Sequence, residues 1–270
     1  MTTPQNAAAH LAYVLRLADN ALILGQRNSE WCGHGPALEE DIALANISLD
    51  LIGQARMLYG RAAALEAAAG GPTRTEDDYA YWRDEMAFRN FTLLELPHAP
   101  PAAATSASTR DYAVTIVRNF LYAALMAELW PALESASDAE LAAIAAKASK
   151  ETRYHLAHAR DWLVRLGDGT EASHRRTQAA LDQLMPYTNE FFAADEIEAA
   201  MHEAGVAPAL DDLHEAWRRV IEQAVHEATL TLPETSPRLT RGKHGVHSEH
   251  MGYLLAEMQS LARQHPGANW

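Results

Sequence analysis

Residues 147–165 read KASKETRYHLAHARDWLVR, and this stretch decides how the rest of the chain is read. Lys147, Glu151, Tyr154, His158, Asp161 and Arg165 recur at steps of three and four residues, so they share one face of a helix. Helical bundles that hold two irons do so with a Glu followed three residues later by a His, both turned inward. Here Glu151 is followed three residues later by Tyr154, and His155 comes one place late. One residue turns a side chain by roughly 100° around a helix. The polar stripe therefore stands where a metal stripe would, with its imidazole displaced, which is the pattern of a metal-free relative of an oxygenase.

A second stripe runs along residues 46–54. Asn46 and Asp50 are four apart, with Gly53 and Gln54 following. Where a metal-bearing helix would offer Glu-x-x-His, this one offers Asp50-Leu51-Ile52-Gly53: a shortened carboxylate and no imidazole. Asp19, beside Arg16 and Asn20, and Glu128 could add carboxylates from two further helices. A di-iron pair needs about four carboxylates and two histidines, and neither histidine is well placed. The favoured reading is that Asp19, Asp50, Glu151, Lys147 and Arg165 form a buried ion-pair network, because buried charges must be paired. Asp19, Asp50, Gly53, Glu151 and Tyr154 are then vestigial metal-site positions, with no metal and no catalytic residue in this chain.

Two other clusters invite chemistry. The segment GKHGVHSEHMG, residues 242–252, follows Arg241 and carries Lys243, His244, His247, Glu249 and His250. His247 and His250 are spaced for a shared metal, and the cations beside glycines before a helix suit an anion. A loop held against the bundle or a partner by histidine hydrogen bonds is the favoured reading. Cys32 and His34 lack a base-and-orienter arrangement, so Cys32 reads as a buried structural thiol. His155 and His158, three apart, read as packing or surface groups in the absence of a third ligand.

Periodicity makes the whole chain helical. Helices are expected over about 6–28, 37–69, 77–94 and 111–130, and then over a fourth long stretch opened by a Ser137/Glu140 capping box and closed by Gly167. Thr170 caps the next helix, and shorter ones follow near 194–204, 211–228 and 248–264. The second helix is apolar on nearly every side and so is placed at the bundle centre. The segments 97–109 and 233–245 read as exposed loops. Two long helix pairs give an all-α, ferritin-like four-helix bundle with additional C-terminal helices, a single domain over 1–270 with a core at about 6–168 and an extension at about 169–270.

Composition narrows the class further. The formal net charge of −14 argues against nucleic-acid binding, which usually needs a basic face. The single cysteine fits a reducing cytoplasm. No basic n-region precedes an apolar core at the start, and no run of about 20 uninterrupted apolar residues suggests a membrane span.

The segments 17–56, 83–90, 145–170 and 242–259 together resemble the C-subunit family of phenylacetyl-CoA epoxidase, the ring 1,2-epoxidase of aerobic phenylacetate degradation. The resemblance runs from Leu11 to Trp270. The loop 97–109 departs from it, being longer and richer in proline and alanine. The resemblance implies a non-catalytic structural subunit. It implies a catalytic A subunit that carries the di-iron centre and epoxidises the aryl ring with oxygen and electrons from NADPH. It further implies a small B subunit and a reductase holding FAD and an iron–sulfur cluster. Asp50-x-x-Gly53 and Glu151-x-x-Tyr154 stand where the catalytic relative would carry Glu-x-x-His. Such a subunit should present an apolar face to its partner, with Phe88–Leu96 and Phe191–Phe192 as candidates, and self-association through that face is open to an isolated chain. Two alternatives stay open: an independent di-metal oxidase with ligands from Asp19, Asp50, Glu128, Glu151, His155 and His158, and a standalone helical interaction protein.

Overall fold

The two longest antiparallel helix pairs set the frame of the molecule. The computed structural model describes residues 4–99, 110–234 and 238–268. Among these the chain is all-α; the lone β feature is an isolated antiparallel bridge between Arg241 and Val246. The chain divides into two compact units. One comprises Met1–Leu96, Asp195–Ala204 and Thr240–Trp270; the other comprises Pro97–Ala194 and Gly205–Leu239.

The first unit is built on α1 (Pro4–Ser29) and α2 (Leu38–Ala68). They run antiparallel: Tyr59 reaches Asp19, and the Cα of Gly25 faces Ser48, Leu51 and Ile52 closely enough that a β-carbon would lie 3.2–3.3 Å from them. Between the two helices, Trp31 is buried and anchors the connecting loop, while Cys32 beside it is exposed, contrary to its reading as a buried thiol. Next come α3 (Glu76–Tyr81), a 3₁₀ turn at Glu85–Ala87 and α4 (Thr92–Glu95). The single helix expected over 77–94 is thus broken. Its backbone donors are taken by α1 instead: Arg89 N–H bonds Asp19, and Phe91 N–H bonds Asn20. Side chains from another helix have outcompeted the local ladder. From the far end of the chain, α9 (Glu196–Glu203) packs on α1, and α11 (Glu249–Gln264) packs on α3 and α4.

Contrary to its placement at a bundle centre, α2 buries one face only. Ala43, Leu44, Ile47, Leu51, Ala55 and Leu58 pack inward, while Leu38, Ile42 and Leu49 lie in solvent and Ile52 stands at the edge of that face, bordering Gly25 of α1. The helix is apolar all round because both faces are apolar, and one of them is uncovered.

In the second unit, α5 (Tyr112–Leu133) pairs with α6 (Ala139–Gly167), and the all-round burial expected of α2 belongs to α5. The two run antiparallel, with Tyr112 edge-on to Trp162 and Ser149 bonded to Glu134. Pro131 lies within the last turn of α5, one turn beyond the expected end. There its missing N–H costs a single bond. Asp138 rather than Ser137 caps α6, accepting from Glu140 N–H and Leu141 N–H. Thr170 opens α7 (Glu171–Leu184) with a capping box, as its spacing suggests. A short α8 (Asn189–Phe192) and α10 (Leu210–Glu227) complete the unit, and Trp217 of α10 donates to the Leu121 carbonyl of α5. Phe88, Leu93, Leu94, Leu96 and Phe191 are buried, leaving Phe91 and Phe192 as the only half-buried apolar side chains in the two segments named as a partner face. His98, at the edge of the expected 97–109 loop, is buried against Thr115 and Arg118; residues 100–109 lie outside the described residues.

Segment Gln5–Ser29 and helix α5 are long and apolar enough to cross a membrane by length and composition. Of the stretches that meet this criterion, 61% and 89% is buried inside the protein. Their apolar surface is spent on packing.

Candidate functional site

Asp19 is fully buried on α1. Its carboxylate accepts from Tyr59 Oη at 2.6 Å, from Arg89 N–H at 2.8 Å and from both terminal nitrogens of Arg83. The Arg83 guanidinium also lies over the Phe88 ring, 4.2 Å from its centroid. The charge that faces this carboxylate is therefore an arginine, held from below by an aromatic ring. Burial, and then the neighbouring Asp19 charge, pushes the Tyr59 phenol well above its ordinary value, so it stays a donor. Burial alone would lower the Arg83 pKa, but Asp19 and Tyr59 raise it.

Asp19 finds its counter-charge in Arg83, not in the Lys147 or Arg165 named for it by the sequence pattern. The resolved partners of Asp19 are Tyr59, Arg83 and Arg89, drawn from segments with no visible metal-like periodicity. Asp50 and Gly53 are half-buried, and the space beside Gly53 where a side chain would go is open. On α6, Lys147 is 60% exposed and stands 3.9 Å from Glu151, a surface-type pair. Tyr154 is also exposed, next to His158; His155 turns inward, and Arg165 lies over Trp162. The polar stripe of α6 thus faces outward, half-buried at Glu151 and His158 and exposed at its other members, while His155, off the stripe, is buried. Among the described residues, no three His, Cys, Asp or Glu side chains converge as metal ligands. The donor set does not fit a di-iron pair: the two Glu-x-x-His positions lack histidine, and the α1 carboxylate is occupied by arginine.

The 241–250 segment meets its anions inside the chain. Lys243 is buried and bonds Glu198 at 3.1 Å. Arg16 reaches Glu198 at 2.7 Å and Asp195 at 2.6 Å. Asp195 and Glu198 form the capping box of α9, so two cations neutralise the two acids of one cap. Burial and the hydrogen bond to Asp195 raise the Glu198 pKa. Burial acts upward on Asp195 as well, but its bonds to Glu198 and Arg16 outweigh it and hold this carboxyl well below the usual range. His244, 3.4 Å from Asp195, is shifted down by burial against that acid's pull.

Further along, His247 and Glu95 are both fully buried. His247 Nδ1 lies 2.7 Å from Glu95 Oε2, and Nε2 lies 3.2 Å from the Phe88 carbonyl. Both ring nitrogens face acceptors, which suits an imidazolium. Burial pushes its pKa down, but Glu95 and the Phe88 carbonyl push harder upward. Glu95 also accepts from Asn90 at 2.9 Å and from Ser248 N–H. It therefore sits at the N-terminus of α11, where a helix favours negative charge. His250, shifted down mainly by burial, lies in the first turn of that helix, and its N–H bonds the Ser248 side chain. Arg241 takes part through its backbone, in the bridge to Val246. Tyr59, Arg83, Glu95 and Glu198 are the partners of these charges that periodicity missed. Only Glu198 carried a sequence signal, the Asp-x-x-Glu of a capping box.

An all-α chain with two long helical hairpins and a buried Asp19–Arg83 pair has a defined place among known proteins. It belongs to the phenylacetic acid catabolic protein family, which matches residues 1–270. It is similar to the C subunit of 1,2-phenylacetyl-CoA epoxidase from Escherichia coli (strain K12): 46% identical over 259 residues, covering 96% of this chain and 98% of that protein.

Proposed function

We propose that this chain is a non-catalytic structural subunit of a ring 1,2-phenylacetyl-CoA epoxidase in aerobic phenylacetate catabolism. In this reading it pairs with, and supports, a di-iron catalytic A subunit. The observation that carries the reading is the near full-length identity of 46% to the C subunit of such an epoxidase. The donor set supports it: Asp50-x-x-Gly53 and Glu151-x-x-Tyr154 lack imidazole, and Asp19 is bound to Arg83. A small B subunit and a reductase with FAD and iron–sulfur complete the proposed complex, in the cytoplasm, with residues 1–270 acting as one ferritin-like domain.

The physical contribution of such a subunit is shape. A bundle that opens for a bulky thioester gives up packing, and a partner stiffened by buried ion pairs can hold it. Metal analysis by plasma mass spectrometry tests the reading, on the protein purified alone and with a co-expressed A-type subunit. Iron found only in the complex is expected. About two irons per isolated chain would overturn the proposal and favour an independent di-metal oxidase.

A further inference from the structure

Leu38, Ile42, Ala45, Leu49, Ile52 and Arg56 follow one another at alternating steps of four and three residues. This is the narrow seam of a two-helix coiled coil, with a mean repeat of 3.5. It lies on the outer side of α2, with Ile52 at its margin, where that side chain also borders Gly25 of α1. Leu38, Ile42, Leu49 and Ile52 are 73%, 53%, 67% and 39% exposed. Isolated exposed apolar side chains need no explanation, but a contiguous periodic row marks an interaction surface. At about 1.5 Å per residue the row runs for about 27 Å, long enough for a helix to lie along it.

The charges on α2 select the occupant. Glu39, Glu40 and Asp41 crowd its first turn, while Arg56 and Arg61 stand in its second half. A parallel copy would set acids against acids. An antiparallel copy, related by a twofold axis midway between Ala45 and Leu49, sets Ile42 against Ile52 and small Ala45 against large Leu49. It lays the aliphatic stem of Arg56 on Leu38 and brings its guanidinium to the partner's first-turn acids. Nothing lies within 4 Å of a β-carbon built at Gly53, beside Ile52, so the backbones can approach there. The present Arg56 partner, Glu76, forms an exposed pair that yields readily, the two side chains being 75% and 36% exposed. We infer that α2 is a self-docking helix through which two copies of this chain pair antiparallel. The inference is independent of the proposed subunit role.

Sedimentation velocity on the full chain over a range of micromolar concentrations tests it. A reversible dimer is expected. Leu49→Glu should give a monomer with unchanged helical circular dichroism, since Leu49 does not pack in its own chain. Arg56→Glu should weaken the dimer by about tenfold, because two symmetry-related pairs are lost. The double reversal Glu39→Arg with Arg56→Glu should restore much of that loss, which a merely apolar contact would not do. A monomer at every concentration would overturn the inference, as would a dimer indifferent to Leu49→Glu. So would a wild-type monomer that uses Leu49 only to bind an A-type subunit, which would make the occupant heterologous.

Discussion

Asp19 shows how one buried charge is made tolerable. A carboxylate with four hydrogen bonds and an arginine counter-ion is satisfied only while every partner stays. Asp19→Asn should leave the Arg83 charge uncompensated and cost about 3–5 kcal/mol in chemical denaturation. Replacing both residues together, Asp19→Leu with Arg83→Met, should cost much less, because no orphan charge remains. His247 makes a different prediction, one of pH. Its folded pKa lies above the ordinary 6.5. The stability it adds is therefore fully present below pH 6.5 and is lost as pH rises through the folded value. The melting temperature should fall as pH climbs above neutrality, and His247→Gln should flatten that part of the curve. An unchanged slope in the variant would place the titrating group elsewhere.

At the scale of elements, sequence periodicity and structure agree where a helix's own residues decide its fate. The helices α1, α2, α6, α7, α10 and α11 begin and end within one or two residues of their expected bounds, because caps and the apolar period are local signals. The 77–94 segment failed for the opposite reason: Asp19 and Asn20, far away in sequence, captured its backbone donors. The α6 stripe was legible as a face, but whether a face meets solvent or a neighbour is not written in its spacing. That is why Lys147 and Tyr154, placed in a buried site by pattern, are exposed. The 241–247 turn is a third case. Its cations were visible, but their acids at Glu95, Asp195 and Glu198 were not. Gly242 is where this turn presses closest on its surroundings: a β-carbon there would come 2.4 Å from the Asn90 carbonyl oxygen and 2.8 Å from Thr92 N. Neither is the yielding end of a flexible side chain. Gly242→Ala should therefore destabilise the protein by about 1–3 kcal/mol, measured as a lowered denaturation midpoint.

For the molecule as a whole, these local devices converge on one property. The family to which the chain belongs is matched from residue 1 to residue 270, and within it Asp19 is held by Arg83 while positions 53 and 154 carry glycine and tyrosine. Asp19 serves as one member of a buried, fully partnered charge pair. The frame of the first unit closes late: Lys243 and His247, which neutralise Glu198 and Glu95, lie some 150 residues after Glu95 in the chain, with most of the second unit in between. A ribosome making this protein releases Glu95 early but withholds its counter-ion His247 until nearly all the rest has emerged. The first unit therefore obtains its last buried pair only after the residues of the second have been made, against the usual N-to-C progression in which domains are completed in turn.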